Sequence, residues 1–139
     1  MANVERFVAA QDDGVYGRAL AELRAGQKRG HWMWFVFPQI AGLGRSETAR
    51  LYAIESLAEA RAYLAHPLLG PRLIECTEAM LALAGQRSAE SILGAIDAMK
   101  FRSSLTLFES ATTSGEPFSS ALAAFFAGER DEATLDLLG

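Results

Sequence analysis

GHWMWFVFPQ, residues 30–39, is the stretch on which the reading of this chain turns. Two tryptophans and two phenylalanines fall within six residues, with His31 before them and Pro38-Gln39 behind. A short continuous apolar run fits a buried strand or a buried turn of helix, and periodicity alone does not separate the two. Aromatic content leans towards strand, whereas the segments on either side lean towards helix. Both readings of 31–37 stay open, with a turn of helix favoured by its neighbours. Pro38 ends the run in either case.

Working outward, helical patterning recurs. Upstream, Val4, Phe7 and Val8 form a short apolar stripe that stops at Asp13-Gly14, and Tyr16, Ala19, Leu20 and Leu23 repeat at i, i+3, i+4, i+7. That spacing predicts an amphipathic helix over 15–26. Downstream, GLGRS (42–46) reads as a loop, with Ser46 an N-cap for a helix over 47–54. Ser56-Leu57-Ala58-Glu59 matches a capping box, in which the hydroxyl bonds a later N–H and the carboxylate returns to the cap N–H. The helix it starts stops before Pro67. Pro71 suits the first turn of a helix over 71–84, Ser88 begins a short one through Leu93, and Asp97 can cap the next, with Phe101, Leu105 and Phe108 inward. TTSGEP (112–117) is loop. Phe118, Leu122, Phe125 and Phe126 form another stripe, and a final short helix carries Leu135 and Leu138. No repeat, linker or sheet-like alternation interrupts the pattern. The expectation is an all-α compact bundle of about seven or eight short helices, a single domain over residues 1–139.

Composition bounds the function. At 139 residues a single core buries about two thirds of the unfolded surface, so neither disulfides nor a metal staple are required. Half the residues are hydrophobic and 22% are charged, which excludes a disordered chain. A net charge of −4 argues against non-specific binding to nucleic acid or to an anionic membrane. No apolar run approaches the ~20 residues of a membrane span. The segment MANVERFVAAQDD places Glu5 and Asp12 where a secretory signal has a cationic start and an apolar core, so a cytoplasmic protein is expected. The lone cysteine, Cys76, sits among apolar residues and reads as an inert buried thiol. His31 and His66 lack carboxylates at ligand spacing, so no metal or other cofactor is expected. His66, before Pro67, reads as a charge or cap at a helix C-terminus.

Three pieces carry candidate chemistry. The first is the aromatic run, which is either core or a pocket wall with Trp32 stacking on a planar ligand and His31 and Gln39 as polar handles. Gln39 equally serves as partner to an indole N–H. The second is GLGRS, where Arg45 adds charge and Ser46 opens a helix; this is a weak anion loop or a plain turn with its cap. The third is KFRSS, which on a helix sets Lys100 on one face with Ser103 and Ser104, and Arg102 on a neighbouring face. A lysine beside a serine can activate the hydroxyl, but a Lys100–Asp97 pair at i−3 explains the lysine without chemistry. If the three pieces converge, Arg45, Lys100 and Arg102 supply positive charge and the tryptophans an apolar wall.

At VERFVAAQ, HWMWFVFPQ, GLGRS, YAIESLAEARAYLAHPLLGPRL, KFRSSLTLF and FFAGERDEATLDLL, nearly the whole chain, the sequence resembles the DUF1810 family. That resemblance implies an all-helical, Rv1873-like fold. It implies no activity, substrate or catalytic residue.

The leading expectation is therefore a protein that binds a small anionic or aromatic metabolite. The alternatives are an interaction module that meets a protein partner through an exposed helix face, and a hydrolase or transferase using His31 or Lys100. The oligomeric state is not legible.

Overall fold

The computed structural model describes residues 3–139; Met1 and Ala2, which open the MANVERFVAAQDD segment and the expected domain, lie outside the described residues. Among the described residues there are ten helices and no strand, so the fold is all-α. They are α1 (Glu5–Ala10), α2 (Val15–Ala25), α3 (Met33–Val36), α4 (Glu47–Leu51) and α5 (Leu57–Ala65), followed by α6 (Leu69–Leu81), α7 (Ala89–Leu93), α8 (Ala95–Ala111), α9 (Phe118–Phe126) and α10 (Glu132–Leu138). The count exceeds the expected seven or eight because the stripe at Val4–Val8 and the aromatic run each close their own short helix.

The aromatic run is thus helix, but only one turn of it. The Trp32 indole is a donor only and makes no cap hydrogen bond to α3, and Pro38 cannot donate the next ladder bond. The chain then makes one parallel bridge, Ile40 to Ile54, in which the Ala41 N–H donates to the Ile54 carbonyl and the Ile54 N–H to the Gln39 carbonyl, both at 2.8 Å. That bridge ends α4 at Leu51 rather than at the expected residue 54, because Ile54 spends its N–H outside the helix.

Caps set most boundaries. The Ser46, Ser56 and Ser88 hydroxyls accept from the N–H groups of Ala49, Glu59 and Ser91, as their sequence positions suggest. The capping box is modified: the Glu59 carboxylate accepts from the Glu55 N–H rather than that of Ser56, because Arg6 pairs with it at 2.8 Å. Asp97 does not cap α8; Gly94 occupies that position with a φ of +89°, and Asp97 lies in the first turn. His66 is the C-cap residue of α5, as its place before Pro67 suggests, but its ring serves no C-terminal carbonyl. Its Nδ1 accepts from Leu68 and Leu69 N–H at 3.1 and 3.3 Å, opening α6 two residues before Pro71. α6 ends at Leu81, before the expected residue 84. Gly70 permits the tight α5–α6 corner, since a Cβ there would lie 2.0 Å from the Leu64 carbonyl oxygen.

α8 is the central element and packs on α5, α7, α9 and α10. Ala98, Phe101, Leu105 and Phe108 recur at 3-4-3 spacing and are buried. From residue 103 to 108 every side chain is buried, and two of its three hydroxyls find partners within the helix. Ser103 donates to the Met99 carbonyl at 3.1 Å and Thr106 to that of Arg102 at 2.8 Å. Around α8 the aromatic rings meet mostly tilted or edge to face, Phe37 on Phe101 at 4.8 Å and Tyr63 on Phe108 at 5.3 Å between centroids. In α10 the buried residue is Thr134, while Leu135 faces outward. Among the described residues no helix is long and apolar enough to cross a membrane.

Candidate functional site

The N-terminal end of α8 faces the aromatic run, and Asp97 ties the two together. Its carboxylate holds Lys28 at 2.9 Å and Lys100 at 3.7 Å. Each ammonium also lies over an indole, Lys28 5.1 Å from the Trp32 ring and Lys100 5.0 Å from that of Trp34. The run itself is anchored by Glu22 of α2. One carboxylate oxygen accepts from the N–H groups of Arg29 and Gly30 and from the Trp32 indole, at 2.8, 2.9 and 2.9 Å. Burial alone would raise the Glu22 pKa, but these donors and nearby Lys28 outweigh it and hold the carboxyl below its ordinary range.

Beside this junction lies a cleft of about 330 Å³ between α8, the 39–44 loop and the start of α10. Its apolar wall comes from Leu43, Ile96, Met99 and Ala133. Its polar groups are Gln39, Lys100, Arg102 and Ser103, with Asp131 at one edge. Both cations are loosely engaged. Arg102 stands 3.8 Å from Asp131, whose other carboxylate oxygen caps α10 by accepting from the Thr134 N–H and hydroxyl. Ile96 and Met99 are 72% and 71% exposed and form an open apolar lip.

A second cleft, of about 440 Å³, shares Ile96 with the first. His31, Met33, Trp34 and Leu93 line it, with Lys28 and Asp97 as its charged groups. His31 also edges a smaller cleft with Glu22 and Trp32. A further cleft, over α6, has Glu75 and Glu78 against Arg24, and Arg24 is paired with Glu75 at 3.6 Å; it offers an anion nothing.

Four of the expected site residues share one cleft and the others lie elsewhere. Gln39, Lys100, Arg102 and Ser103 meet in one cleft, while His31 lines its neighbours. Trp32 is only 3% exposed and belongs to the core; the half-buried indole is Trp34. The Trp32 indole N–H donates to Glu22, not to Gln39. Arg45 is exposed and lines none of these clefts, and Ser46 is a turn's cap. Ser104 is buried with no hydrogen-bond partner and does not reach the cleft wall. Asp97, Asp131, Ile96 and Met99 also line these clefts and are absent from the candidates the sequence offers for the site. Ile96, Met99 and Ser103 sit at 3-4 spacing, out of phase with the core stripe, and that second stripe was a usable signal.

The hydroxyl and the ammonium that face this cleft are both already engaged. The Ser103 hydroxyl donates to the Met99 carbonyl, and the Lys100 ammonium is directed to Asp97 and Trp34. Neither activates the other. Burial pushes the Cys76 thiol up to about 12, so it is no nucleophile at neutral pH. Among the described residues, no three of His, Cys, Asp and Glu are grouped to hold a metal ion.

Comparison with known proteins places the fold. None of the curated proteins compared matches the chain. It is similar to the crystal structure of the conserved hypothetical protein Rv1873 from Mycobacterium tuberculosis, at 51% identity and a TM-score of 0.94, over 99% of this chain and 96% of that one. Residues 1–138 match the family described as "Protein of unknown function (DUF1810)". With one family spanning almost every residue and a relative this similar in both sequence and fold, the chain belongs to the DUF1810 family.

Proposed function

We propose that this protein binds a small anionic metabolite in the cleft formed by Gln39, Lys100, Arg102 and Ser103. The carrying observation is that two cations from successive faces of α8 meet an apolar wall, each with its carboxylate partner at salt-bridge range beyond 3.5 Å. A ligand anion can replace a loose carboxylate contact without leaving either cation bare, and Leu43, Ile96 and Met99 can cover its apolar part. The reading includes a single cytoplasmic domain; one core cluster that draws on every helix but α4 supports the single domain. A hydrolase or transferase using His31 or Lys100 is disfavoured, since His31 lies in a different cleft and Lys100 activates no hydroxyl.

A thermal-shift screen tests this. An anionic compound at ~100 times its dissociation constant should add about 2.7 kcal/mol of stability, a visible rise in Tm. Neutral isosteres should give less, and Lys100→Met with Arg102→Met should remove the rise. An unchanged rise in that double variant would refute the site. The open lip at Ile96 and Met99 supports a second reading, a protein partner, and a screen in which no small anion raises Tm would favour it.

A further inference from the structure

The cleft just described and its larger neighbour are separated by little. Ile96 lines both and is 72% exposed, so it is a sill rather than a packed wall. Trp34 lines the larger cleft and also a narrow gap whose other side is Gln39 and Gly44, residues of the anion cleft. Lys100 stands at the boundary, lining the anion cleft while its ammonium lies 5.0 Å from the Trp34 ring centroid. The anion-facing groups and the indole are therefore two ends of one surface.

Resting on the anion-binding reading above, we infer that the two clefts form one bipartite site for a planar aromatic group joined by a short linker to a terminal anion. The anion lies against Lys100, Arg102 and Ser103, and the ring lies in the larger cleft against Trp34 and Met33. Spacing sets the linker. From Ile96 to Ser103 α8 advances about 10 Å at 1.5 Å per residue, and Lys100 lies midway. A ring and an anion about 6–10 Å apart span that distance, which describes a nucleoside monophosphate or an aromatic ring on a short carboxylic acid chain. A large polyanion does not fit, because Asp97 and Asp131 bound the site at either end.

Adenosine 5′-monophosphate and indole-3-propionate are suitable probes, measured by titration calorimetry beside adenosine, inorganic phosphate and propionate. At least one ring-bearing anion should bind roughly tenfold more tightly than its isolated anion, about 1.4 kcal/mol. Comparison of inorganic phosphate with propionate distinguishes phosphate from carboxylate as the terminal group. Trp34→Phe should keep most of that gain, and Trp34→Ala should remove it while leaving phosphate or propionate binding unaltered. Ile96→Asp, at an exposed position that cannot disturb the core, should weaken the ring-bearing probe at least tenfold. If ring-bearing probes bind no better than bare anions, and those anions are lost in Arg102→Met, the bipartite site is wrong and the anion cleft stands. If none of the anions binds, both fall.

Discussion

Glu22 shows how much of the site's framework hangs on one side chain. A single carboxylate oxygen serves three N–H groups across residues 29–32, so it both turns the chain and satisfies a buried indole. Hydrogen bonds to a charged group are worth about 1.5–3 kcal/mol. Because the folded Glu22 carboxyl titrates below its ordinary value of 4.5, its stabilisation is fully present above that value and disappears as pH falls through the folded pKa. Glu109 adds to the same trend: burial opposes ionisation, but Arg130 and Ser119 prevail and hold it low as well. We expect stability to be flat from pH 7 to about 5 and to fall below about 4.5. Glu22→Gln should lower stability by roughly 1 kcal/mol at pH 7 and shallow the acid-side slope, as followed by urea denaturation across pH. An unchanged slope in that variant would mean that other carboxylates carry the acid response.

At the scale of the element, α8 does two tasks with two stripes. Ala98, Phe101, Leu105 and Phe108 hold the core, and Ile96, Met99, Lys100 and Ser103 build the cleft. The helix tolerates buried hydroxyls because each can return its proton to a carbonyl one turn back, as Ser103 and Thr106 do. Ser104 is the exception, 1% exposed with its Oγ unpartnered. An unsatisfied buried hydroxyl costs stability, and alanine has the higher helix propensity. Ser104→Ala should leave stability unchanged or raise it by up to about 1 kcal/mol, with ligand-induced thermal shifts intact. A clear destabilisation would point to a partner for the hydroxyl, and loss of ligand response would return Ser104 to the site.

For the whole molecule, the opening run divides between core and surface. Trp32 and Phe37 are buried with Met33 and Val36, and Phe37 meets Phe101 of the central helix. Trp34 and Phe35 are half-buried. Trp32→Ala should therefore cost about 3–5 kcal/mol, a large share of a small domain's stability. Trp34→Ala should cost distinctly less, and His31→Ala, at an exposed position, within about 0.5 kcal/mol. Chemical denaturation of the three variants measures this order directly, and equal losses for the two tryptophans would contradict the division.

Features that depend on neighbours three or four residues away are legible in the chain: the helical class, the Ser46, Ser56 and Ser88 caps, the α2 stripe and the core phase of α8. Such contacts close within one turn, so pattern and capping chemistry report them. Where local signals competed, they misled. Asp97 is a fitting cap by type, but Lys28, far away in sequence, takes its carboxylate; His66 does end α5, but its ring nitrogen is taken by the N–H groups that open α6. The site lay further out of reach. Gln39 is carried to Lys100 and Arg102 by the Ile40–Ile54 bridge, Trp32 finds its acceptor on α2, and Asp131 reaches Arg102 only once α10 folds back on α8. Which of the charged and aromatic candidates share a cleft is set by packing between helices distant in the chain, and such packing leaves no period in the sequence to read.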